Sequence, residues 1–248
     1  MSDVLLRVGD LRAYYGTAQI LFGLSFEVAE GGIVALLGRN GAGKSTTLKS
    51  IMRIEARVAG RVEFEGRDLA GLRTHQIARL GIGYVPGERR IIADMSVREN
   101  LELGRYVADR DRPPAGLDQI LSFFPALAPL LSRQGGHLSG GEQQMLTIAR
   151  CLVGNPRLIL LDEPSEGLAP KIVKELTEIL GQIHRDLGTS ILITEQNTAL
   201  ALALADQVGL IDSGKLVFWG SRDALAERAD LMREYLGAQS QSRGAAHR

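Results

Sequence analysis

Five apolar residues, Ile33 to Leu37, run directly into Gly38-Arg39-Asn40-Gly41-Ala42-Gly43-Lys44-Ser45-Thr46, after which Leu48 and Ile51 recur at helical spacing. No other stretch limits the possible folds so strongly, because the spacing GxxxxGK[ST] needs a strand before it and a helix after it. The glycines let the backbone curl until successive N–H groups point into one concavity, and the helix N-terminus adds its positive dipole end. The product is a cradle for phosphate. Within it Lys44 suits bridging of β- and γ-phosphates, and the Ser45 hydroxyl suits Mg²⁺. A glycine-rich turn that merely joins strand to helix is the bland alternative. The complete motif in its strand, loop and helix context outweighs it.

The segments "LILLD" and "SILIT" are, like "IVALL", apolar without alternation, which fits strands covered on both faces. A helix is predicted after Pro170, with Ile172, Leu176, Ile179, Leu180, Ile183 and Leu187 on one face and Gly188 just past its end. The first runs, "VLLRV" and "LSFEV", alternate better and are expected to form an antiparallel side sheet. The segment from about Pro86 to Gly136 reads as helical, broken at "DRDRPPAG". The expected architecture is therefore α/β: a P-loop core with a parallel sheet flanked by helices, an antiparallel side sheet, and a helical subdomain inserted at about residues 87–153. A chain of 248 residues with 45% hydrophobic content supports such a core. One domain is expected over residues 1–236, and residues 237–248, "GAQSQSRGAAHR", are expected to be a disordered tail because they lack an apolar period.

Two further stretches carry chemistry. "RLILLDEPSEG" delivers Asp162 and Glu163 to the end of a buried strand, where open α/β sheets bind ligands. Asp162 suits an outer role on Mg²⁺ and its water; Glu163 suits polarising an attacking water. An acidic pair at a strand end is by itself more often a solvated turn, but beside a phosphate loop the catalytic reading prevails. "HLSGGEQQ" places Ser139, Gly140, Gly141 and Glu142 before another helical pattern. Ser139 and Glu142 are accounted for by a capping box. The two glycines are not, and they leave N–H groups open as a second anion site requires.

Taken together, "GRNGAGKST", "LSGGEQQ" and "LILLDEP", in this order and spacing, resemble the ATP-binding subunits of ABC transporters over nearly the whole chain. The resemblance implies an ATPase using ATP and Mg²⁺, in which the stretch Ser139 to Glu142 of one subunit closes on ATP held by the phosphate loop of another. A dimer with two composite sites follows. The resemblance also implies that Tyr15 in "AYYG" stacks on adenine, with Tyr14 as the alternative register. "EPSEGLAP", "TEQN" and "MSVRENLELG" are similar to the second ATPase of branched-chain amino acid importers, while "EPSEG" and "GRDLAGL" are similar also to urea and short-amide importers. Implied partners are transmembrane permease subunits, a second related ATPase subunit (or a second copy in isolation) and, indirectly, a solute-binding protein. The implied location is peripheral, at the cytoplasmic face of the inner membrane.

Two positions depart from the family pattern. Gln196 stands where most members carry a histidine at the γ-phosphate; its amide still donates a hydrogen bond but does not titrate near neutral pH. In "VPGERR", Gly87 takes the place of the usual glutamine or acid and the acid follows at Glu88. A swing of Glu88 toward Mg²⁺ or the attacking water, and a contact left unmade, are both open.

Composition excludes other classes. Lys+Arg and Asp+Glu both number 29, so no overall field draws the chain to nucleic acid, and no such partner is expected. No guanine-reading NKxD-like motif is present. The single cysteine, Cys151, rules out an internal disulfide, and the four histidines lack metal-ligand spacing. "MSDVLLRVGD" has no signal-peptide pattern and "ALALALADQVGLI" is interrupted by Asp206 and Gln207, so no membrane span is expected.

Overall fold

The computed structural model describes residues 3–107 and 112–236. The expected tail at 237–248 lies outside the described residues, as do residues 108–111 within the expected break.

Two sheets organise the chain. In the first, β1 (Val4–Tyr15), β2 (Ala18–Ala29), β4 (Arg57–Phe64) and β5 (Arg67–Asp68) pair antiparallel in the order β2-β1-β4-β5. On β2, Leu24, Phe26 and Val28 point inward while Ser25 and Glu27 face solvent, the period of two seen in the sequence. The second sheet has the order β10-β9-β3-β8-β7-β6. Its strands β3 (Ile33–Leu37), β6 (Ile82–Val85), β7 (Leu158–Asp162), β8 (Ser190–Glu195) and β9 (Gln207–Asp212) run parallel, and β10 (Lys215–Ser221) closes one edge antiparallel to β9.

The lack of alternation in the central strands has a direct cause. Ala35, Leu37, Ile159, Leu161, Ile191 and Ile193 pack into one apolar cluster with α5 (Gly140–Val153) and α6 (Pro170–Leu187). Their neighbours Val34, Leu36, Leu158, Leu160 and Leu192 pack on the other face with α1 (Lys44–Ile51) and the side sheet. Helix α6 begins at Pro170 and stops at Gly188, whose left-handed φ of 64° ends it. Between β6 and its parallel neighbour β7 the chain carries α3 (Val97–Glu102), α4 (Leu117–Phe123) and α5, joined by 3₁₀ turns.

A turn also locks the two sheets together at their joined edge. The Phe22 N–H on β2 donates to the Gly214 carbonyl at 2.9 Å, and the Gly214 N–H donates to the carbonyl of Ala42 in the phosphate loop at 2.8 Å. Gly214 has φ 73°, and any Cβ there would overlap the Ile20 carbonyl oxygen, so only glycine fits.

Candidate nucleotide site

The phosphate loop spans the gap between β3 and α1, and the acids arrive on β7, separated from β3 by β8 alone. This places both motifs at the carboxyl ends of the strands. Asp162, 5% exposed, accepts hydrogen bonds at Oδ1 from Ser45 Oγ and Thr194 Oγ1, each 2.8 Å, and at Oδ2 from the Tyr84 hydroxyl at 3.3 Å. Three hydroxyls from three elements thus hold one buried carboxylate, the arrangement that orients it.

Glu163 turns away from Asp162 because its backbone is left-handed, φ 45°, with its N–H donating to the Thr194 carbonyl at 2.9 Å. A non-glycine residue there costs about 1–3 kcal/mol, a strain that recurs at functional sites. The turn aims the Glu163 carboxylate at Lys44 Nζ, 2.9 Å away, with the two side chains only 14% and 2% exposed. Lys44 Nζ also donates to the carbonyls of Gly38 at 2.8 Å and Arg39 at 3.0 Å. All three ammonium protons are therefore engaged by the protein.

A cavity of about 320 Å³ opens beside these groups, lined by Asn40, Gly41, Ser45, Lys49, Tyr84, Gly87, Glu88, Asp162 and Glu163 among others. Glu88 sits at its rim with a side chain 79% exposed, paired with Arg90 at 3.0 Å. Gly87 lies close against β7: a Cβ there would stand 3.0 Å from the Asp162 carbonyl oxygen. Ser139 to Glu142, Tyr15 and Gln196 do not line this cavity. Gln196 is exposed directly after β8, and Tyr15 is half-buried at the end of β1. Its neighbour Tyr14 carries the Arg57 guanidinium 4.7 Å over its ring.

The start of α5 is a capping box. Ser139 N–H donates to Glu142 Oε2 at 2.7 Å and Glu142 N–H to Ser139 Oγ at 3.4 Å, and these bonds hold the Glu142 carboxyl below its ordinary range. Gly140 faces the Arg89 guanidinium, which donates to the Glu166 carbonyl at 2.9 Å. Arg89 so ties the segment after β6 to both the α5 start and the turn after Glu163.

Four groups escaped the sequence reading. Tyr84 and Thr194 are donors to Asp162, and burial, with Asp162 beside it, pushes the Tyr84 phenol above its ordinary value, so it remains a donor. Arg89 stands in "VPGERR" with no signal of its own. Glu195, 1% exposed, accepts from Ser165 N–H at 3.0 Å, Ser165 Oγ at 2.9 Å and Asn197 N–H at 3.1 Å, while burial raises its carboxyl above the usual range. The available signal was a polar residue ending an apolar run: Thr194 and Glu195 close "SILIT" as Asp162 closes "LILLD".

Among the described residues no group of three or more His, Cys, Asp and Glu side chains could enclose a metal ion. Ser45 and Asp162 offer oxygen atoms only, which suits Mg²⁺, an ion held by few protein ligands together with phosphate and water.

The sequence model described as ABC transporter matches residues 21–166. The chain is 40% identical to the high-affinity branched-chain amino acid transport ATP-binding protein BraG of Pseudomonas aeruginosa, over 94% of this chain and 100% of the relative. It is 36% identical to the probable branched-chain amino acid transport ATP-binding protein LivF of Archaeoglobus fulgidus, over 90% of this chain and 94% of the relative. Among solved structures, an ATP-binding cassette of an ABC transporter in its ADP conformation superposes with a TM-score of 0.79 at 26% identity, covering 93% of this chain and 97% of that one.

Proposed function

Because this chain belongs to the ABC transporter family, we propose that it is an ATP-binding subunit that hydrolyses ATP to energise import of branched-chain or related amino acids. One observation carries the ATPase reading: the phosphate loop and two carboxylates meet at one place, Ser45 on Asp162 and Lys44 on Glu163. The roles follow from the chemistry of each group. The backbone N–H groups of Gly38 to Thr46 and the Lys44 ammonium take the β- and γ-phosphates once Lys44 leaves Glu163. Ser45 and Asp162 would hold Mg²⁺, which supplies neutralisation of developing phosphate charge. Glu163, freed from Lys44, orients the attacking water and accepts its proton. Gln196 donates its amide toward the γ-phosphate, Glu88 reaches the site from the rim, and Tyr15 stacks on adenine.

Ser139, Gly140, Gly141 and Glu142 serve the ATP of a second subunit, so the working unit is a dimer with a related chain or with a second copy. The amino acid cargo is supported by the relatives, which are named for that transport. Among the described residues no helix is long and apolar enough to cross a membrane. Permease subunits and a solute-binding protein complete the proposed transporter, with this chain peripheral at the cytoplasmic face of the inner membrane.

Phosphate release by the purified chain tests the ATPase reading. Glu163→Gln is expected to lower turnover by about 100-fold or more while retaining ATP binding, the range lost with a general base; Lys44→Ala is expected to lose ATP binding. Undiminished turnover in both variants rejects the assignment. Uptake assays of the chain assembled with its permeases, using leucine against urea, test the cargo; uptake of urea and not leucine rejects the amino acid reading.

A further inference from the structure

We propose that Tyr84 is a positioning residue that fixes the Oδ2 oxygen of Asp162 for the divalent cation, an inference that rests on the ATPase reading above. Tyr84 lies on β6, beside Leu160 of β7, so the strand pairing alone brings its side chain near the end of β7. Its ring packs on the apolar cluster under the side sheet and forms a wall shared by two cavities. One is the phosphate cavity. The other, of about 350 Å³, is an apolar groove lined by Met52, Ile54, Leu103 and Cys151 among others. A ring held in this way has a fixed position for its hydroxyl, and that hydroxyl donates to Asp162 Oδ2 at 3.3 Å.

The division of donors on Asp162 gives the hydroxyl its importance. Ser45 and Thr194 both donate to Oδ1, whereas Tyr84 donates to Oδ2. A cation would be held through a lone pair of Ser45 Oγ, which leaves the hydroxyl proton able to donate to Asp162. Tyr84 thus anchors Oδ2 opposite the two hydroxyls on Oδ1, so each carboxylate oxygen is anchored. Two anchors fix the plane of the carboxylate, whose terminal torsion is otherwise broad and roughly two-fold. With the phenol oxygen removed, Oδ2 loses the Tyr84 donor and the carboxylate is held through Oδ1 alone, so its plane is less restrained where the cation would bind.

The test compares wild type with Tyr84→Phe, which keeps the ring and deletes one oxygen. Mn²⁺ is titrated by electron paramagnetic resonance in the presence of a non-hydrolysable ATP analogue, and analogue binding is measured separately without metal. We expect Mn²⁺ affinity to fall roughly three- to tenfold, the scale of one typical intramolecular hydrogen bond. Metal-free analogue affinity stays unchanged, and kcat falls with KM for ATP unaltered. Thermal melts accompany both proteins. Tyr84→Leu, which removes ring and hydroxyl together, is expected to show the same loss of Mn²⁺ affinity with an added loss of stability, separating the hydroxyl from the packing. Equal Mn²⁺ affinity and equal kcat in Tyr84→Phe overturn the inference, as does a loss of analogue affinity without metal that matches the loss with it. A wild-type chain that binds no Mn²⁺ with nucleotide overturns the ATPase reading and this inference with it.

Discussion

At the scale of single residues, the site is closed upon itself. Lys44 spends its three protons on Glu163, Gly38 and Arg39, so a triphosphate must take the lysine from a carboxylate before it is held. Removing the competing charge makes the lysine easier to take. Glu163→Gln is therefore expected to bind ATP more tightly than wild type in the absence of metal, measured by titration calorimetry; equal or weaker binding counts against the ion pair as a competitor. Glu195 gives a pH-dependent counterpart. Burial raises its carboxyl above the ordinary glutamate value of 4.5, so the folded chain binds a proton that the unfolded chain has already released. Its contribution falls as pH rises from that ordinary value through the raised one. Across that window the melting temperature of wild type relative to Glu195→Gln is expected to decline with rising pH, and a flat difference rejects the assignment. Lys44, Asp162 and Glu163 were legible in the sequence because spacing announces them. Tyr84 and Thr194 were not, since their meaning comes from pairing between strands far apart in the chain.

At the scale of elements, the local signals and the packing agree where a period repeats and part where a contact is non-local. Proline and glycine punctuation around α6 predicted its start and stop, because both residues act through their own backbone. The capping box of α5 was equally plain, being closed within four residues. The seam between β6 and α5 was invisible, since Gly83 and Cys151 have no sequence relation. There a Cβ on Gly83 would overlap Cys151 Sγ, so strand and helix are in direct contact at that point. Gly83→Ala is expected to cost about 1–3 kcal/mol by overpacking, seen as a lower melting temperature of about 2–4 °C per kcal/mol. Adding Cys151→Ala should recover most of that loss. No recovery in the double variant places the strain elsewhere. The segment from Gly83 to Asn100 has a definite role in packing through Arg89, held on the Glu166 carbonyl and against Gly140.

For the whole molecule, Ser139 to Glu142 lie outside the cavity that holds the phosphate loop and the acids, as a site completed by a second chain requires. Mixing inactive copies tests this. Lys44→Ala and Ser139→Arg chains are each expected to be inactive alone; mixed, they form pairs in which one site inherits both defects and the other none, so ATPase activity returns in part. Mixtures as inactive as their components reject the composite site. The α/β class was legible because apolar runs and the phosphate loop admit few other architectures, whereas the tie between the two sheets at Gly214 was not, since that glycine touches Ile20, Phe22 and Ala42 from the far end of the chain. That glycine also inverts a common rule of protein engineering. Hairpin tips are where inserted cargo is normally tolerated, and the turn between β9 and β10 has the length of one. With its tip wedged between a sheet and the phosphate loop, a scan of random peptide insertions scored for folded, ATP-binding protein should find a gap at Ser213 and Gly214.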